Sequence, residues 1–543
     1  MKSLHCLTTL AAAMFALGAT GIASAADLSN CAACHPNITK AHAGTKHENV
    51  ACTSCHTGLD EHLKSPKARP TTNLDPANCG MCHQPQYTSL YKDEGRAPRI
   101  SKKVTTGPSP DPFFDRALGA HGFTKEHALP RAHVWMAMDQ FIADRAFGGR
   151  FEPKMGWLYS TLEGGKSYKV WDVLKDNYPD NNAQKAHKGS GYAAAANGVC
   201  WSCKSADLIL DWAYMGDKVE GATFSRGSNP VDVVRNINHA LNCNFCHDPH
   251  TTQPRIVRDA LIDSITRDNK GLPNVWQDNA AHKTKVEVVD YGMRGFVRKV
   301  GIMERADSNL MCAQCHVEYV CNPGFDAKTG NKVGFDSRLT NLFPMVNADQ
   351  IEQYYDAVGF RDFKHNMTGA SLIKMQHPDT ETYFGSKHDK AGATCASCHM
   401  PKVKDEKTGK MYTLHWSTSP RHYMQETCLT CHKDKTEAQM NKAIDTLKGH
   451  FDGKVREAES RMDQMFDAFE LAIASGVDQK VLDEARKLHA SAHVNWEYWT
   501  AANGAYFHNP DQASRSLAKS AKAASDATAL LRKAIAEKAA AKK

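Results

Sequence analysis

The chain has 543 residues, a formal net charge of +7 and eighteen cysteines. Its basic residues are dispersed, with no basic run beyond the Lys/Ala tail, so the charge points to no nucleic-acid partner. Beyond the N-terminal stretch no segment holds eighteen consecutive apolar residues, which excludes a body built of membrane spans.

In chain order, Lys2, the apolar stretch from Leu7 to Ile22 and the small residues Ala23-Ser24-Ala25 read as a secretory signal over residues 1–25. This predicts a periplasmic protein that starts near Ala26. Many cysteines in an exported protein ordinarily mean disulfides, but here sixteen of the eighteen fall in eight C-x-x-C pairs. Seven pairs are followed at once by histidine: Cys31/Cys34/His35, Cys52/Cys55/His56, Cys79/Cys82/His83, Cys243/Cys246/His247, Cys312/Cys315/His316, Cys395/Cys398/His399 and Cys428/Cys431/His432. C-x-x-C-H attaches haem c: both thiols form thioethers to the porphyrin and the imidazole binds the iron. The eighth pair reads Cys200-Trp201-Ser202-Cys203-Lys204, with lysine where histidine stands elsewhere. Both thiols are kept, so eight covalently bound haems are expected. Their propionates make the holoprotein far less basic than the formal charge suggests.

The motifs divide the chain. Residues 26–130 form an N-terminal three-haem domain, with three motifs packed between Cys31 and His83. Residues 131–432 form a catalytic five-haem domain, which opens on a stretch without motifs and a helix near Arg131–Asp144. Residues 433–543 form a long-helix region. There Leu447, Phe451, Val455, Met462, Met465, Phe466 and Phe469 recur at helical spacing from about Lys435 to Ser475. Gly476 suits the C-terminal end of that helix and Asp478 the N-cap of the next, whose inner face carries Leu482, Ala485, Leu488, Ala492, Trp496 and Trp499. Asn509-Pro510 opens a third helix, whose end from Ala518 to Lys543 is expected to fray. Strand signals are scarce. The expected fold is mainly α, a multihaem cytochrome c with a haem-stack core, few strands and long C-terminal helices.

A lysine amine binds iron only when deprotonated, and its usual pKa is far above neutral, so ligation must displace the proton. An unusual proximal ligand marks an unusual haem, with its distal face open to substrate. The other seven need sixth ligands. The chain offers a surplus of isolated histidines: His42, His47, His62, His121, His127, His133, His239, His250, His365, His388, His415, His422 and His508.

Four ordered segments carry a resemblance: Cys200-Trp-Ser-Cys-Lys204, Cys312-Ala-Gln-Cys-His-Val-Glu-Tyr319, Lys374-Met-Gln-His-Pro378 and Cys395 to Lys402. Over residues 130–510 the chain resembles the pentahaem ammonia-forming cytochrome c nitrite reductases. The three extra N-terminal motifs make the whole resemble the octahaem nitrite reductases more closely. In that group a tyrosine two residues before a cysteine is joined to it by a thioether, and Tyr319-Val320-Cys321 fits, Cys321 being the one leftover thiol of the mature chain.

The resemblance implies roles. Lys204 would be the proximal ligand of the catalytic haem, and Arg145, Tyr319 and His377 the distal residues. A calcium ion would rest on Glu318, on Tyr319 and Lys374 by their backbone, and on Gln376. His133, His388, His415 and His508 would be distal ligands of four electron-transfer haems, with His47, His62, His121 and His127 the candidates for the N-terminal three. The implied reaction is six-electron reduction of nitrite to ammonium, with hydroxylamine and sulfite as further substrates. The implied partners are an electron-donor protein or quinol-linked cytochrome and further copies of the chain, by resemblance a hexamer. The alternatives are a hydroxylamine oxidoreductase-like enzyme, against which Lys204 argues, and an electron carrier with every iron six-coordinate.

Overall fold

A computed structural model describes residues 31–91, 111–118, 133, 198–228, 232–233, 236–237, 239, 241–279, 284–290 and 295–541. The expected helix near residues 131–144, the signal stretch and the residues Arg145, His121 and His127 lie outside the described residues.

Each attachment motif sits in a helical turn, because one turn brings two cysteines and the following ligand to the same side. His35, His83, His247, His316 and His432 each return their backbone N–H to the carbonyl of the first motif cysteine, at 2.8 to 3.0 Å. The lysine motif closes more tightly. Lys204 N–H donates to the Trp201 carbonyl at 2.9 Å, one residue nearer, so its backbone follows a 3₁₀ rather than an α path. The Cys52–Cys55–His56 motif also takes a 3₁₀ path, over Cys52–Ser54.

Residues 31–91 form the short helices Pro36–His42, Leu59–Lys64, Pro76–Gly80 and Gln84–Tyr91, with a two-residue strand pair, His56–Thr57 and Thr71–Thr72. Apart from Pro76, Leu74 and Tyr87 are the only buried apolar side chains in that stretch, far too few to hold 61 residues together. The segment is fastened to the rest of the chain by Asn242 Nδ2 on the Leu74 carbonyl (2.8 Å), Tyr91 hydroxyl on the Leu241 carbonyl (3.2 Å) and His415 N–H on Ser89 Oγ (3.0 Å).

The central body is short helices and small antiparallel sheets, the largest ladder pairing Val286–Asp290 with Lys299–Met303. Its helix Asp259–Thr266 and strand Arg255–Ile256 pack beside the lysine motif.

The C-terminal part is three long helices, Glu437–Ala474, Gln479–Ala501 and Pro510–Ala541. Thr436 and Gln439 form a capping box at the first N-terminus. Gly476 follows its end at φ +68°, a conformation natural to glycine, and Asp478 caps the second helix by accepting from Lys480 N–H. The third helix runs unbroken to Ala541 and does not fray from Ala518 as expected. Leu517, Ala521, Ala524, Ala527 and Leu531 are buried against the other two helices: alanine is both the best helix former and small enough for close helix approach. Met462, Phe466, Phe469, Trp496 and Trp499, all fully buried, centre a cluster that reaches Phe114 and Val320.

Candidate active site

Two imidazoles on opposite sides of one iron hold their ring centres about 6.2 Å apart, since each metal–nitrogen bond is about 2.0 Å and Nε2 lies about 1.1 Å from its ring centre. Every motif histidine has one non-motif histidine at this spacing. The pairs are His35–His62 (6.0 Å), His83–His47 (6.1 Å), His56–His250 (6.2 Å), His316–His133 (6.1 Å), His247–His415 (6.2 Å), His432–His388 (6.3 Å) and His399–His508 (6.4 Å). The gap fits an iron and nothing larger, so these residues fit haem. Hydrogen bonds fix the ring orientation: Nδ1 of His47, His62, His399 and His415 faces a backbone carbonyl at 2.7 to 2.9 Å, and Nδ1 of His316 faces Asp379 at 2.7 Å. With Nδ1 engaged, Nε2 is left for metal. Burial pushes His133, His247, His250 and His508 down to about 4, which keeps them in the neutral, metal-binding form.

The polypeptide covers the attachment thiols unevenly. Cys34, Cys82 and Cys431, three of the predicted haem-binding thiols, are exposed, whereas the other thirteen motif cysteines are buried or half-buried. Each of the three is the second cysteine of its motif, and each lies where little polypeptide is at hand to cover it. Cys34 and Cys82 belong to the segment 31–91 with its scarcely developed apolar core, and Met81, next to Cys82, is 75% exposed. Cys431 ends the last motif, just before the chain enters the helix Glu437–Ala474, and the residues that follow it from His432 to Thr436 are exposed as well. Exposure does not remove these thiols from the set that can carry haem, since a thioether joins the rim of the porphyrin and not its centre.

Six of the distal candidates, His47, His62, His133, His388, His415 and His508, stand opposite a motif histidine. His250 stands opposite His56, a place the sequence reading left to other candidates. It lies three residues past His247 and cannot fold back over its own iron. Only the tertiary contact shows which motif it faces. His42, His239, His365 and His422 belong to none of the seven pairs; His239, for example, meets Asp207 at 2.7 Å.

Thiol contacts order the motifs in space. Cys79 lies beside Cys243, and Cys312 beside Cys395, while Cys315 Sγ meets the Cys203 carbonyl at 3.5 Å. Cys55 is an electrostatic neighbour of Cys79, Cys246 of Cys312, and Cys398 of Cys428. The motifs of His56, His83, His247, His316, His399 and His432 therefore form a file, and the lysine motif branches from it at the motif of His316.

Around the lysine motif, Cys200, Trp201, Ser202 and Cys203 are buried. Val320 pairs with Leu342 in an antiparallel bridge, so its neighbours Tyr319 and Cys321 point together to the opposite side. Both are buried, at 8% and 2% exposure, and Cys321 is an electrostatic neighbour of Cys200. The Tyr319 ring lies 6.2 Å from that of His377. The structure thus gathers Tyr319 and Cys321 with His377, which lies more than fifty residues further along the chain.

Beside them lies a knot of buried carboxylates. Glu318 accepts from the Tyr355 hydroxyl at 2.8 Å and the Gln376 backbone N–H at 2.6 Å, and its own N–H donates to Glu381 at 3.0 Å. The Lys374 ammonium pairs with Glu497 at 2.9 Å, and its N–H donates to Asp362 at 2.9 Å. Four carboxylates stand against the one ammonium of Lys374. Burial pushes Glu318 up to about 8 and Asp362 up to about 7, and Glu381 Oε2 has no hydrogen-bond partner. Such a surplus of buried oxygen charge fits a hard divalent cation. Among the described residues no three His, Cys, Asp or Glu side chains converge as a metal cluster, so a cation here would rest on backbone carbonyls and the Gln376 amide as well as on Glu318.

The sequence pattern of cytochrome c552 proteins matches residues 154–543. A cytochrome c-552 of Haemophilus influenzae is 29% identical over 422 residues, covering 75% of this chain and 65% of its own. The cytochrome c nitrite reductase subunit NrfA of Nitratidesulfovibrio vulgaris is 28% identical over 389 residues, covering 67% of this chain and 64% of its own. The chain thus spans slightly less than two thirds of the length of these curated relatives. The solved catalytic subunit of cytochrome c nitrite reductase from Desulfovibrio desulfuricans, described with two calcium sites, shares the fold with a TM-score of 0.56 at 21% identity, over 85% of this chain and 86% of its own.

Proposed function

The chain belongs to the cytochrome c552 family, and we propose that it is an eight-haem c-type cytochrome that reduces nitrite to ammonium at the haem held by Cys200, Cys203 and Lys204. One observation carries the reading. Each of the seven motif histidines has a histidine opposite it, whereas the side chains gathered at the lysine motif are Tyr319, Cys321 and His377. That division is what one substrate-binding haem and seven electron-transfer haems require.

A haem held there would supply a reducible iron that can take an anion. Lys204 would hold it through its side-chain nitrogen. His377 gives protons to the departing oxygens near neutral pH. Arg145, a permanent cation, draws the anion in and steadies the charge that develops as each oxygen leaves. The Tyr319 hydroxyl donates a hydrogen bond, its ring locked by a thioether to Cys321. Glu318, Gln376 and the carbonyls of Tyr319 and Lys374 would hold calcium, whose charge would raise the local potential. The reaction consumes six electrons and eight protons and releases two waters, so a file of motifs leading to the site lets nitrogen intermediates stay until fully reduced. Hydroxylamine and sulfite fit the same site. The donor is a protein or quinol-linked cytochrome, the setting is the periplasm, and the long C-terminal helices serve as the surface on which copies assemble into a hexamer. Among the described residues no helix is long and apolar enough to cross a membrane.

The test is an anaerobic assay of purified holoprotein with a reduced viologen and nitrite, counting dye oxidised and ammonium formed. Six dye electrons per nitrite with equimolar ammonium are expected. No nitrite-dependent oxidation by fully loaded protein overturns the reading and favours an electron carrier or a hydroxylamine oxidase.

A further inference from the structure

Arg258 has no part in the scheme above, yet it is 2% exposed and lies against the lysine motif. Its backbone N–H is held by Gln314 Oε1 at 3.1 Å, a residue inside the neighbouring Cys312–Cys315 motif. Its Nε donates to Cys203 Sγ at 3.1 Å, one terminal nitrogen donates to Asp259, and the other donates to Asn341 Oδ1 at 2.6 Å. The guanidinium lies over the Phe343 ring at 4.9 Å, and that ring is 6.0 Å from Tyr319. The fork is therefore fixed from every side, with one arm aimed at a sulfur.

That sulfur becomes a thioether one carbon from the porphyrin ring once haem is attached. A buried cation donating N–H to it favours the electron-rich, reduced state of that haem, because charges interact strongly where water is excluded. Asp259 does not cancel the effect. Its carboxylate also receives Trp212 Nε1 at 2.7 Å, Ala260 N–H at 2.8 Å and Asn341 Nδ2 at 3.3 Å, so its charge is shared among several donors, whereas the Arg258 Nε–H donates to Cys203 itself. Cys315, on the next motif, receives the Arg258 charge only through space.

We propose that Arg258 is a positioning residue that raises the midpoint potential of the haem on Cys200, Cys203 and Lys204 above that of its neighbour on the Cys312 motif, through its hydrogen bond and buried charge at Cys203. Electrons arriving from the file then run downhill onto the site where nitrite waits. The proposal rests on the reading of Lys204 as the mark of an open haem.

The experiment is a potentiometric titration of holoprotein that follows the high-spin haem by absorbance and paramagnetic resonance. A high-spin haem absent from the unaltered protein removes both that reading and this proposal, before any variant is made. With it present, Arg258→Gln lowers its midpoint, leaves the low-spin haems of the distant motifs unchanged and lowers kcat more than it raises KM, while Arg258→Lys keeps most of the wild-type midpoint. An unchanged midpoint in eight-haem Arg258→Gln protein overturns the proposal, as does a fall in Arg258→Lys equal to that in Arg258→Gln. If Arg258→Gln does not mature, Asp259→Asn removes the opposing anion and must raise the midpoint, and an unchanged or lower value overturns the proposal.

Discussion

Residues 31–91 and residues 437–541 solve the same problem in opposite ways. The C-terminal helices bury Met462, Phe466, Phe469, Trp496 and Trp499 completely, and a cluster of that size stabilises its elements by apolar burial alone. The N-terminal segment buries Leu74 and Tyr87, leaves even the attachment thiols Cys34 and Cys82 exposed, and has His35–His62, His47–His83 and His56–His250 in place of a core. Polypeptide makes its own core in the C-terminal region; in the N-terminal one, on the eight-haem reading, the prosthetic groups would be the core, with the chain wound around them. On that reading, order over residues 437–541 is a property of the polypeptide, and order over residues 31–91 depends on cofactor attachment.

The largest effect tests that contrast directly. Chain produced without haem attachment is expected to lose protection over residues 31–91 entirely while the helices 437–541 keep theirs. Hydrogen exchange read by mass spectrometry checks this, and equal protection of the two regions breaks the comparison. Next, His250→Ala should open one iron, that of the Cys52/Cys55/His56 motif. A single new carbon monoxide-binding haem is expected per chain, with ligand access elsewhere unchanged. If no such haem appears, the assignment of His250 is wrong.

In the polypeptide core, Trp496→Ala should cost about 3–5 kcal/mol, since a fully buried indole leaves a cavity the three helices cannot close. Denaturant unfolding followed by helical signal measures it, and a loss below about 1 kcal/mol would mean the helices are held mainly by the haem-bearing body. The smallest effect concerns an ion pair in the central body, which lies between the two regions along the chain. Burial opposes ionisation of Asp217, but Arg338 and Arg226 outweigh it and hold its carboxyl below the usual range. A depressed native pKa stabilises the fold above the unfolded value of about 4 and loses that contribution as pH falls through the native one. Asp217→Asn is therefore expected to lower stability by about 1–2 kcal/mol at neutral pH, with the gap from wild type closing toward pH 3. A gap that persists unchanged at pH 3 would show that the charge is not its source.

The sequence by itself determined whatever depends on neighbours along the chain. A C-x-x-C pair and its following ligand form one turn, so eight attachment motifs and the exceptional Lys204 are legible without coordinates. So are the capped starts at Thr436 and Asp478 and the glycine stop at Gly476, because capping is local. The Ala/Lys-rich tail was misread for the complementary reason: composition alone shows no partner, whereas burial against two other helices holds it to Ala541. How far each motif is enclosed was equally out of reach, since Cys203 is buried and Cys34, Cys82 and Cys431 are exposed within the same four-residue pattern. Only the tertiary structure decided which histidine faces which motif, that His250 faces His56, that the lysine motif branches from the file at the motif of His316, and that Arg258 reaches Cys203. Those relations join residues distant along the chain, or, like His250 and its neighbouring motif, forbid the pairing that sequence proximity suggests. A metal–ligand or sulfur contact is set by positions in space to within about half an ångström, a precision that spacing along a chain does not carry.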